Sequence, residues 1–157
     1  MIWFSISALE KAPVRKTGSL PPEFIDLAEE DAFAPDGSGS YDLTAMLVSG
    51  GVLVSGSAST PLKSICGRCL EEISFTLDSG KLQLFFEIEE EQEILEIDED
   101  LRSELLLALP MNPLCSNDCQ GLCPVCGTNL NKSQCKCIKE DTASAVSPWS
   151  TLDDLDL

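Results

Sequence analysis

Two pairs of cysteines share a spacing that does chemistry: Cys66-Gly-Arg-Cys69 and Cys123-Pro-Val-Cys126. Two intervening residues let both sulfurs of a pair reach one ion about 2.3 Å away within a tight turn. Gly127, directly after the second pair, can take positive φ and turn backbone N–H groups back toward the sulfurs. Cys115 and Cys119 precede that pair and Cys135 and Cys137 follow it, so six cysteines fall within residues 115–137. Thiolate is a soft ligand, and a sulfur-rich set without histidine suits tetrahedral zinc best, with iron–sulfur next. Eight cysteines make two complete sets of four. Cys123/Cys126 with Cys135/Cys137 closes a compact local site, which leaves Cys115/Cys119 to meet Cys66/Cys69. The spacing rule licenses either neighbouring pair as a knuckle's partner, and a single site with Cys66 and Cys69 free is the rival arrangement.

Other chemistries find less support. The chain contains no histidine. That removes the commonest general base and any Ser-His or Cys-His pair. Neither G-x-x-x-x-G-K-[ST] nor G-x-G-x-x-G occurs, so nucleotide binding has no support. A closed shell of four thiolates leaves no position for an activated water, so the metal is expected to be structural and the protein not an enzyme. C-x-x-C is also the spacing of thiol oxidoreductases, but "CGRC" falls in a turn between strands and lacks the strand–CxxC–helix setting. Disulfides are disfavoured by compartment. The opening "MIWFSISALEKAPVRK" reads as a strand and not a signal peptide, and no run approaches 18 apolar residues. The expected location is the cytoplasm, without membrane association, where thiols stay reduced.

Charge narrows the partner class. The formal net charge is −17, from 27 acids against 10 bases. Residues 87–104 hold ten acids and one base. Such a run is usually a solvated charged face. It repels phosphate backbones and favours a cationic protein, with Glu89, Glu90, Glu91 and Glu93 as candidate partner-binding residues. The alternative, direct RNA contact by the knuckles, would rest on Arg68, Lys132, Lys136 and Lys139.

The elements that must position these residues follow from periodicity. Residues 1–9 suggest an opening strand. A Pro-, Gly- and acid-rich stretch then reads as a long connection with one short helix at Pro22–Glu30. Tyr41, Leu43, Ala45 and Leu47 alternate. "SGG" turns, "VLVSGSAST" follows, then Ile73, Phe75 and Leu77, a turn at "DSG", and Leu82, Leu84, Phe86 and Ile88. Four strands joined by short turns predict an antiparallel meander with one apolar face. "EILEI" is a further strand candidate. Asp98 reads as an N-cap, and Leu101, Leu105, Ala108 and Leu109 form a helix face that covers the sheet, ended by Pro110 and Pro113. Ser147 and Pro148 open a short C-terminal helix with Trp149, Leu152 and Leu155 on one side, docking on its own domain. The fold class is α+β: an antiparallel β-meander with a covering helix and a Cys-rich zinc-binding module. Residues 1–113 form the meander domain including the knuckle at 66–69, residues 114–138 the cysteine module, and residues 139–157 a linker and short helix.

"CGRCL" on a meander, an acidic segment, "LRSELLLALPMNPLC", "CQGLCPVCGTNLN" and a late W-x-x-L-x-x-L together resemble the YceD family. These are bacterial and plastid proteins named for large ribosomal RNA subunit accumulation. The resemblance covers roughly residues 41–155. It implies a role in ribosomal RNA accumulation and large-subunit biogenesis. It places Cys66, Arg68, Cys69, Cys115, Cys119, Cys123 and Cys126 where family motif residues sit. Some relatives lack the second knuckle but keep a Cys or His after the "ALP" helix end, which supports pairing Cys66/Cys69 with Cys115/Cys119. Relatives tend to end in basic residues, whereas "LDDLDL" is acidic, which weakens any RNA contact there. The expected function is thus a non-enzymatic factor that engages a large-subunit ribosomal protein or pre-ribosomal particle, with zinc as a clamp. The alternatives are a direct RNA-binding zinc-knuckle protein and a thiol redox or zinc-transfer protein.

Overall fold

The computed structural model describes residues 1–27, 32–89 and 91–137. The centre is one long strand, β5 (Gly51–Ile65), whose even-numbered residues Val52, Val54, Ala58, Thr60, Leu62 and Ser64 are buried. That period of two gives the sheet a single apolar face. On one side β5 pairs with β4 (Gly39–Val48) through a tight hairpin at 49–50 and, further along, with β3 (Phe33–Pro35). β2 (Val14–Leu20) extends the sheet beyond β4. The other side of β5 carries β6 (Glu72–Asp78) and β7 (Leu82–Glu87).

The sheet is antiparallel and helix-covered as expected, but its topology departs from a plain meander. β6 and β7 do not form a hairpin. They lie in line along β5, facing residues 65–59 and 56–51 in turn. "DSG" is a β-bulge, not a reversal: the register gains one residue across it, and the Ser79 amide and hydroxyl bridge to Ala58. Turn residues mark a break in pairing, and only the length of β5 decides whether the chain reverses or continues. β2 is a second departure, since "VRKTGSL" falls in the stretch expected to be a connection. Its side chains are mostly exposed, so no apolar alternation announces it; pairing with β4 makes it a strand.

A two-stranded ribbon, β1 (Trp3–Ser5) with β8 (Ile94–Glu96), and the helix α2 (Asp98–Leu107) close the core. α1 (Ile6–Leu9) is a single turn. Phe4, Leu95, Ile97, Leu101 and Leu105 are buried with the sheet residues in one cluster, and Ala108 and Leu109 pack against it. Asp98 does not cap its own helix. Ile97 holds the N-cap position, and the Asp98 carboxylate accepts the Ile2 N–H at 2.8 Å, tying the chain's first strand to the helix start. The predicted helix at 22–30 is a 3₁₀ turn, Pro22–Ile25, stopped by Asp26 at φ 52°. The C-terminal helix expected around Trp149, Leu152 and Leu155 lies outside the described residues.

Candidate metal centres

The hairpin joining β5 to β6 ends in the first knuckle. The Cys66 N–H donates to Glu71 and the Leu70 N–H donates to the Cys66 carbonyl, closing the turn. The second knuckle repeats the device: the Cys123 N–H donates to Thr128 and the Gly127 N–H to Cys123. In each, the residue after the second cysteine is left-handed, Leu70 at φ 59° and Gly127 at φ 71°. Sequence reading found Gly127. It missed Leu70, because a leucine does not advertise that conformation.

Folding brings the eight sulfurs into two groups, Cys66/Cys69/Cys115/Cys119 and Cys123/Cys126/Cys135/Cys137, and within each group all sulfurs lie within 4.8 Å of one another. Two distances in the first group are 3.9 Å (Cys66–Cys119) and 3.7 Å (Cys69–Cys115). Ligands about 2.3 Å from a central ion at tetrahedral corners stand roughly 3.8 Å apart. All eight cysteines are free thiols. Each group could therefore hold one metal ion. The first group has three buried members and only Cys115 exposed, whereas in the second Cys126 is exposed and Cys135 and Cys137 are half-buried.

The surroundings favour thiolate at particular positions. Backbone N–H groups of Cys69 and Arg68 bring the Cys66 thiol down to about 6, against the opposing effect of burial. At Cys126 the Thr128 hydroxyl, 3.1 Å away, and the Thr128 amide do the same, also to about 6. Burial works against ionisation at Cys119, but the Asn131 side-chain amide, 3.3 Å from the sulfur, and the Gly121 N–H outweigh it. Their neighbours keep their protons: a hydrogen bond to Cys119, with burial, pushes Cys115 up to about 12, and a hydrogen bond to Cys126, with burial, pushes Cys137 up to about 12. Crowded thiols thus compete for protons, and a central cation removes that competition because it favours every thiolate at once.

The two groups are braced against each other. The Arg68 guanidinium donates to the carbonyls of Asn117 (3.3 Å) and Cys119 (3.1 Å), while its own carbonyl accepts the Leu122 N–H. Lys132 pairs with Glu71. Asn131, from the loop of the second group, donates to the sulfur of the first and accepts the Gln120 N–H. Ile73, Leu114 and Leu122 pack around the first group. Asn131 escaped sequence reading, since nothing in a polar loop marks one asparagine as a sulfur's partner.

Of the residues read as RNA contacts, Arg68 and Lys132 are thus engaged within the chain, Lys136 is exposed, and Lys139 lies outside the described residues. The acidic candidates divide. Glu89 and Glu91 line a cavity with Glu87, Glu96 and Asp100. Glu93 lines a separate one with Trp3 and Ile94, and Glu90 lies outside the described residues. Among the described residues no helix is long and apolar enough to cross a membrane.

An antiparallel sheet with a covering helix, carrying two four-cysteine groups that could each hold a metal ion, defines an α+β protein. The chain belongs to the YceD family: the family model, described as "Large ribosomal RNA subunit accumulation protein YceD", matches residues 54–156. An uncharacterized protein of Mycobacterium tuberculosis is 33% identical over 103 residues, covering 57% of this chain and 50% of the relative. One of Mycobacterium leprae is 30% identical over 105 residues, covering 58% and 48%. The "Large ribosomal RNA subunit accumulation protein YCED homolog 1, chloroplastic" of Arabidopsis thaliana is 31% identical over 58 residues, covering 37% of this chain and 18% of that protein. The chain thus spans about half the length of its mycobacterial relatives. No solved structure matches it.

Proposed function

We propose that this chain is a non-enzymatic cytoplasmic factor in large ribosomal subunit biogenesis, supporting ribosomal RNA accumulation by engaging a basic ribosomal protein or assembly precursor. The observation that carries this reading is the family match over residues 54–156. Charge supports the partner class: a chain of net charge −17 attracts cationic proteins, which unassembled ribosomal proteins are, and repels RNA. Arg68 and Lys132, spent on internal contacts, leave the RNA-binding alternative few cations. The metal we assign is zinc, one ion per cysteine group. An all-thiolate set at tetrahedral spacing suits it, and a polynuclear iron–sulfur cluster would hold the sulfurs farther apart. The closed ligand shells make it a structural clamp rather than a reaction centre.

The deciding experiment captures partners on the tagged chain, with ribosomal protein and RNA assayed side by side. Charge reversal at Glu89, Glu90, Glu91 and Glu93 is expected to weaken capture of a large-subunit ribosomal protein while native mass spectrometry still counts two zinc ions. Tighter RNA binding by that variant, together with improved large-subunit RNA accumulation in cells, would overturn the reading.

A further inference from the structure

β5 occupies one side of β7, and β1 occupies one side of β8. Among the described residues no strand pairs with the other side of either. A cavity of about 790 Å³ touches both strands, and its lining fixes its position. It meets Phe85, Phe86 and Glu87 in succession on β7, and Leu95 and Glu96 in succession on β8. Successive strand residues point to opposite faces. A cavity in contact with consecutive residues therefore runs along the strand's side, where main-chain N–H and C=O groups point, and not over one face.

The chemistry of this groove is specific. Glu87, Glu89, Glu91, Glu96 and Asp100 line it, and among the described residues no base does. Phe85 stands 53% exposed. Open sheet edges are blunted by charges, proline, bulges or short length; beyond the bulge that precedes it, β7, "LQLFFE", carries no proline and one charge, Glu87. We propose that the groove takes an extended, basic segment of a partner protein. The segment pairs its main chain with the free side of β7 and lays lysine or arginine side chains over Phe85 and between the groove's acids. Strand addition of this kind draws affinity from backbone hydrogen bonds and selectivity from alternate side chains. The aromatic face and the carboxylates together accept a cation on an aliphatic stem. Nucleic acid is repelled by the same lining. The proposal rests on the cationic-partner reading above and deepens it by stating the partner segment's conformation and where it binds.

The test uses the full chain and a ten-residue probe that alternates Lys or Arg with Val or Thr, followed by fluorescence anisotropy. Saturable binding is expected. N-methylation of alternate probe amides along one edge keeps the charge and should weaken binding at least tenfold. Glu87→Lys with Glu96→Lys should do the same, whereas Glu23→Lys with Glu72→Lys, an equal charge change outside the groove, should alter it less than twofold. Hydrogen exchange at residues 85–87 and 94–96 should slow when the probe is bound. Equal binding of the methylated probe, or equal loss in the control variant, would reduce the effect to bulk charge and sink the proposal. A groove variant that changes the sedimentation coefficient without probe would assign the groove to a second copy of the chain instead. Capture of a ribosomal protein that survives groove reversal refutes the groove alone. Probe binding without any ribosomal capture refutes the functional reading alone.

Discussion

Leu70 and Gly127 occupy equivalent places in the two knuckles, and both are left-handed. For glycine that conformation costs nothing extra, while an L-residue pays roughly 1 kcal/mol or more. A Cβ on Gly127 would meet nothing within 4 Å, so Gly127→Ala isolates the backbone term. It should lower stability by about 1 kcal/mol. At Leu70 the side chain is 64% exposed and little burial is lost on removing it. Leu70→Gly should therefore raise the melting temperature. Calorimetry of both zinc-loaded variants checks the pair, and a fall in Tm for Leu70→Gly would show that this leucine packs against something that offsets its strain. Gly121 sits in a tighter place: at φ 71°, a Cβ would lie 3.1 Å from the Arg68 carbonyl that accepts the Leu122 N–H. Gly121→Ala should cost more than Gly127→Ala, because it strains the contact between the knuckles as well as its own backbone.

The first cysteine group joins a hairpin turn to the segment after α2, about fifty residues later in sequence. Besides the sulfurs, that joint includes the Gly67 N–H donating to Pro113 at 2.9 Å, the Cys115 N–H donating to the Cys66 sulfur at 3.4 Å, and the Arg68 bonds to Asn117, Cys119 and Leu122. α2 itself is anchored elsewhere, through Leu101 and Leu105 in the main core. Cys69→Ser removes one ligand, and metal-binding energy is folding energy for whatever the metal joins. Hydrogen exchange in this variant should quicken at Gly67, Cys115 and Leu122 while Leu101 and Leu105 stay protected. Uniform quickening across α2 would mean that the metal supports the helix body. No change at Cys115 would mean that the two pairs do not share an ion.

For the whole molecule, burial sets the order in which metal leaves. The first group is largely enclosed by Ile73, Leu114 and Leu122, whereas the second is open at Cys126, Cys135 and Cys137. A chelator should strip the second group first, so that a one-zinc species accumulates in native mass spectra and Cys126 is alkylated before Cys66. Simultaneous loss would show that the Arg68 and Asn131 bracing couples the groups into one unit. Acid acts with a definite sign. Protons compete with metal for the thiolates, so bound zinc is held at neutral pH and lost as pH falls, below the range in which the metal-free thiols protonate, because the cation stabilises every thiolate. Zinc counts across a pH series check this; a metal content that does not fall at all with acid would point to ligands other than thiolate.

Cysteine spacing was enough to anticipate two groups of four cysteines that could each hold a metal ion, and the pairing of distant Cys66/Cys69 with Cys115/Cys119 was one of the open arrangements. Strand periodicity was equally legible in β4, β6 and β7, because apolar residues recur at every second position in each. The helix α2 was legible for the same reason at its own period. What the sequence could not decide was pairing. Whether "DSG" reverses the chain or bulges it depends on how far β5 continues beside it, and β2 becomes a strand only because β4 has a free side to offer. The side groove between β7 and β8, which mixes Glu89 and Glu91 with Glu87, Glu96 and Asp100, was invisible for the same reason. Local composition shows which side chains a segment offers. Main-chain hydrogen bonds carry no residue identity, so which sides of which strands are paired, and which stay open, is settled only when the whole sheet assembles.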